Sequence, residues 1–131
     1  MSFGNVPADI LVGTVEKLVS KMDEADLAAA FSHDLSTMPP EAVGAFVDAM
    51  FDAFRDRGES SEDVAEGAGT TIAGIDRRDA AALHAFVDYA RANPGLLKEA
   101  TTIFVEQHPN LAGALPAPLR SAIAERLTNV T

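Results

Sequence analysis

The sequence has no cysteine. That one absence excludes disulfides, thiolate metal ligands and a cysteine nucleophile together. Aromatic residues are scarce at 6%, and the apolar load is mostly Ala, Leu and Val, which favours helices over sheet. Basic residues are also few, 10 against 20 acidic ones, so the net charge is −10. Such a field repels nucleic acid and anionic lipid and favours basic partners or cations. Arg77-Arg78 is the only adjacent basic pair and has no interleaved aromatics, so no nucleic-acid stripe exists.

Long apolar runs are missing too, because Asp, Glu or Lys interrupts each one, and no membrane span is expected. The segment Met1-Ser2-Phe3-Gly4-Asn5 lacks the basic and apolar regions of a signal peptide, so a cytoplasmic setting is the expectation. Metal patterns of helical bundles, Glu-x-x-His or two histidines four apart, do not occur. Neither a metal nor a cofactor is expected.

What is present is the composition of one globular domain. Apolar residues make up 47% of 131, enough for a core that buries roughly two thirds of the unfolded surface. The acidic excess is local. From Asp23 to Glu66 there are twelve acids and two bases, while the remainder has eight of each. The whole charge imbalance therefore sits in one middle segment, either as a docking face for a basic partner or as a solvated surface.

Hydrophobic spacing predicts helices throughout. Leu11, Val15, Leu18 and Met22 mark the first, after Pro7, with Lys17 and Lys21 near its end. Asp23-Glu24 opens a second, through Leu27, Phe31 and Leu35. After Met38-Pro39-Pro40 comes the clearest stripe, Val43, Phe46, Val47, Met50 and Phe54, with Phe51 on its flank. Asp48, Asp52 and Arg55 point away from it, and Gly58 is a left-handed stop. Ser60-Ser61-Glu62-Asp63 starts a fourth helix, weak because of Gly67 and Gly69, that extends to Gly74.

Asp76 is expected to cap a fifth helix carrying Leu83, Phe86, Val87 and Ala90. Asn93-Pro94-Gly95 then starts a sixth, with Leu96, Ala100, Ile103 and Phe104 inward. A helical turn near Leu111 and a last helix from Ala117 to Leu127 complete the chain. The expected fold is all-α: one domain, 1–131, an irregular bundle of about six to seven short helices built from antiparallel αα-hairpins. Ala45-Phe46-Val47-Asp48 recurs as Ala85-Phe86-Val87-Asp88, an offset in the range of helical solenoids. Shared composition of Ala-rich amphipathic helices is the simpler account of it.

Candidate chemistry is sparse. His84 and Asp88 stand four apart on one helix, where a carboxylate can orient a general base. No nucleophile is visibly placed beside them, so a surface pair is the simpler expectation. Gly67-Ala68-Gly69-Thr70-Thr71 lacks the lysine of a phosphate loop. Gly67, Thr71 and Gly74 instead offer a small-residue side for close helix approach.

Three functions follow as expectations. The first is a non-catalytic interaction or accessory module using Asp48, Asp52 and Asp56 toward a basic protein. Phe51 widens the apolar arc of its helix and, in that reading, offers a place for a second copy of the chain. The second is a small-molecule binder with an apolar pocket between helices. The third is an enzyme built on a His–carboxylate pair, either His84 with Asp88 or His33 with a carboxylate.

Overall fold

The computed structural model describes residues 6–34, 37–76, 79–93 and 95–130. Helix makes up 81% of them, and no strand occurs among them, so the fold is all-α. Eight α-helices and one 3-10 helix follow in order among the described residues. They are α1 (Ala8–Lys21), α2 (Glu24–Asp34), α3 (Pro40–Asp56), α4 (Ser61–Gly67), α5 (Ile72–Asp76), α6 (Ala80–Arg91) and α7 (Leu96–Gln107), then the 3-10 turn Pro109–Ala114 and α8 (Ala117–Val130). Met1 to Asn5, Leu35, Arg77, Arg78 and Pro94 lie outside the described residues.

Helix ends follow local chemistry. Pro40 occupies the first position of α3, where no intrahelical N–H partner is lost. At the other end Gly58 takes φ +83°, the left-handed conformation a Cβ resists. Its N–H reaches the Arg55 carbonyl at 3.0 Å and the Glu59 N–H reaches that of Phe54 at 3.1 Å, a Schellman stop. The Ser60 hydroxyl oxygen accepts the Asp63 N–H at 3.2 Å and caps α4, as the capping pattern predicts.

Two expected boundaries shift. The helix expected from Ser61 to Gly74 is two helices, α4 and α5. Gly69 adopts φ +78°, and Thr70 donates to the Ala65 carbonyl at 2.9 Å, a second Schellman stop. The cap of α6 is Asp79, whose carboxylate accepts the Ala81 N–H at 3.3 Å, and Asp76 is instead the last residue of α5.

The core is centred on α7. Leu96, Leu97, Ala100, Thr101, Phe104 and Val105 are all buried there. The Thr101 hydroxyl donates to the Leu97 carbonyl at 2.7 Å, so the one buried polar side chain among the described residues is satisfied. Packing is most extensive between α7 and α3 and between α7 and α1, helices far apart in the chain. A late helix lying among early ones is not the successive stacking of a solenoid, so the 40-residue similarity reflects composition.

Phenylalanines link the layers. Phe31 stacks on Phe46 at 3.9 Å between centroids, and Phe46 meets Phe104 edge-on at 6.2 Å. Phe51 and Phe54 pack on Phe86 at 4.8 and 6.1 Å. Ile10 is the only large apolar side chain left exposed among the described residues.

Candidate functional site

The outward ridge of α3 carries Asp48, Asp52 and Asp56 at one-turn intervals, as their spacing predicts. Their surroundings differ. Asp48 is exposed, with no hydrogen bond or ion pair. Asp52 is held from two helices: Arg55 donates to its Oδ1 at 2.6 Å, and Gln107 of α7 donates to its Oδ2 at 3.3 Å. Asp56, one turn further on, faces Glu99 of α7.

Asp56 stands where α1, α3 and α7 leave an open groove of about 460 Å³. Glu16, Val19 and Ser20 of α1 form one wall, and Lys98, Glu99, Thr102, Ile103 and Glu106 of α7 form the other. A second hollow of about 270 Å³ continues from it, sharing Asp56, Ile103 and Glu106 and adding Asp52, Arg55 and Gln107. Five carboxylates and two cations therefore line one continuous depression. Ile103, expected inward, is half-buried and lies on the groove's floor.

Burial pushes the Glu99 carboxyl above the usual glutamate range. Its contact with the Asp56 carboxyl and that group's charge push the same way, while the Arg57 charge opposes them. Oε2 of Glu99 is fully buried and no donor reaches it.

The acidic segment foreseen from Asp23 to Glu66 supplies only two of the five carboxylates, Asp52 and Asp56. Glu16, Glu99 and Glu106 come from the charge-balanced remainder, where counting along the chain hid them. Their outward positions were legible; which helix α7 packs against was not.

Other expected site residues lie elsewhere. Phe51 is 9% exposed, covered by Phe86 of its own chain, so its side of α3 does not need a second copy to bury it. His84 and Asp88 are exposed on α6, outside the groove, and no hydrogen bond or ion pair joins them. A different pair is formed: His33 Nδ1 lies 2.8 Å from Asp34 Oδ1. Asp34 Oδ2 also accepts the Ala117 N–H at 3.0 Å and so caps α8 from a distance. These two hydrogen bonds, His33 foremost, hold the Asp34 carboxyl below the ordinary aspartate range. That arrangement is a structural clamp between α2 and α8.

Gly67 and Gly74 both approach α6, but from two helices, α4 and α5, rather than from one side of a single helix, and Thr71 lies exposed between them. A Cβ on Gly67 would stand 2.7 Å from the Tyr89 ring, and one on Gly74 3.4 Å from the Ala82 side chain. Among the described residues, no group of three His, Asp or Glu is placed to hold a metal ion, and no helix is long and apolar enough to cross a membrane. Compared with protein families, with curated proteins and with solved structures, the chain matches none.

Proposed function

We propose that the protein is a non-catalytic interaction or accessory module whose acidic groove receives a basic segment of a protein partner. The observation that carries this reading is the convergence of carboxylates from α1, α3 and α7 on one open depression. A lysine- or arginine-rich segment complements it in sign, and the half-buried Ile103 gives the alkyl stems of such side chains an apolar bed. Apart from Ile10, the large apolar side chains of the described residues pack in or against the core, which favours charge over an apolar patch as the means of recognition. Cytoplasmic residence belongs to the same proposal.

Association with such a partner is electrostatically steered, so its on-rate falls by about tenfold or more as salt rises from low to physiological levels. Asp56→Lys and Glu106→Lys lower the on-rate at low salt, whereas Asp48→Lys, outside the groove, leaves it near the wild-type value. The check is a salt series of association rates for a partner captured by the immobilised chain. Equal on-rates for all four proteins would reduce the groove to ordinary solvated surface.

A further inference from the structure

Glu99 and Asp56 line one groove, and Glu99 carries there a buried oxygen that ordinary ionisation leaves without a bond. Both are acceptors when ionised, and no donor reaches Oε2 of Glu99, which has no accessible surface. Two ionised carboxylates sharing one groove repel, and each disfavours the other's charge. Adding one proton turns that repulsion into a charge-assisted hydrogen bond, O–H to O⁻. We infer that Glu99 takes up a proton and donates it to the Asp56 carboxylate, so that a proton-dependent latch ties α7 to α3 across the groove.

The surroundings permit this and do not replace it. From α1 the groove presents Glu16 and Ser20, and from α7 itself Lys98, Thr102 and Glu106. Arg57, in the turn after α3, is a cation whose charge acts on Glu99. Its guanidinium lies over the start of α7, with Nη2 3.4 Å from where a Cβ on Gly95 would be. Neither α2, α6 nor the 3-10 turn, which also pack on α7, contributes a residue to the groove. Glu16 and Glu106 add negative charge and favour proton uptake; Lys98 and Arg57 oppose it.

The consequence for stability has a definite sign. Burial and Asp56 raise the Glu99 carboxyl above its ordinary value, so the folded chain binds this proton more readily than the unfolded one. The latch is then fully formed below the unfolded-chain value of about 4.3 and is lost as pH rises through the higher folded value. It strengthens the α3–α7 seam in mild acid, and because it removes one negative charge it also weakens the groove toward cations. That second effect rests on the proposed function; the first does not.

The test reads the free protein and so stands apart from any partner. The carbon-13 shift of the Glu99 carboxyl is followed against pH in the intact chain, beside exposed Glu62 as an internal reference. Its midpoint should lie above that of Glu62, and Asp56→Asn should bring it part of the way back. Thermal melts supply the second measurement. Glu99→Gln, which keeps a donor to Asp56 without ionising, should melt several degrees above wild type near neutral pH. That gain should shrink toward zero at about pH 4 to 5, where wild type has its own proton. A Glu99 midpoint equal to that of Glu62, one that Asp56→Asn does not move, or a Glu99→Gln gain independent of pH would each overturn the latch.

Discussion

Single residues show where burial is decisive. Phe46 has no exposed surface and stands between Phe31 and Phe104, joining α2, α3 and α7 through three rings. Phe86 is equally buried, against Phe51 and Phe54. Truncation removes these contacts and leaves a cavity that packed helices fill only in part. Phe46→Ala and Phe86→Ala should each cost about 3–5 kcal/mol in equilibrium denaturation, a large share of a small domain's stability. A cost below about 1 kcal/mol for either would mean that the ring does not sit in the core. Both burials were legible in the sequence, since each Phe lies in an apolar stripe at helical spacing. The burial of Phe51 was not. A residue at a stripe's edge is covered or bare according to which helix arrives there, and here α6 brings Phe86.

At the scale of elements, glycines separate the places where the chain bends from those where it packs. Gly69 ends α4 because it alone tolerates the φ of +78° that the Schellman stop needs. The sequence offered Gly67 and Gly69 together, and composition does not tell which glycine costs a helix stability and which terminates it. Two of the helical glycines, Gly13 and Gly67, make the contrast testable. Nothing lies within 4 Å of a Cβ on Gly13, so Gly13→Ala should stabilise α1 by about 0.5–1 kcal/mol through backbone entropy. A Cβ on Gly67 would meet the Tyr89 ring at 2.7 Å, and that ring is fixed by stacking on Phe54 at 5.4 Å and by its hydroxyl donating to Glu59 at 3.1 Å. Gly67→Ala should therefore displace Tyr89 and destabilise by about 1–3 kcal/mol despite the better helix propensity. Chemical denaturation of the two variants measures both. Matching gains would show that α4 and α6 do not approach so closely. The expected six to seven helices fell short of the eight α-helices and one 3-10 helix among the described residues, since Gly69 splits one helix into α4 and α5. The caps of α3 and α4 and most Pro and Gly breaks were readable locally, because each depends on residues within a turn. The pairing of α7 with α1 and α3 was not, because nothing local encodes it.

At the scale of the molecule, charge and packing act against each other. Only two ion pairs occur among the described residues, Arg55 with Asp52 and His33 with Asp34, in a chain of net charge −10. The packing of α7 on α1 and α3 then gathers acids that the sequence keeps far apart, so the fold concentrates a repulsion already present in the composition. Counting charge along the chain found the excess but misplaced its focus: Asp48 lies outside the groove while Glu16 and Glu106 lie in it. Added sodium chloride should therefore raise the melting temperature near neutral pH. At about 0.1 M the screening length is near 10 Å, short enough to damp repulsion across the groove. The rise should be a few degrees, about what 1 kcal/mol gives in a domain of this size. Chloride rather than sulfate is the proper salt, since sulfate stabilises most proteins by exclusion from their surface. Glu106→Lys places a cation between the two hollows and should both raise the low-salt melting temperature and flatten its salt response. Asp48→Lys changes the net charge equally but stands outside, and should do less of each. Were the two variants to shift the salt response alike, net charge alone would govern stability, and the groove would hold no special concentration of repulsion. A melting temperature that falls with added chloride would mean that attractive pairs outweigh repulsive ones, which the exposed and unpaired carboxylates of this surface argue against.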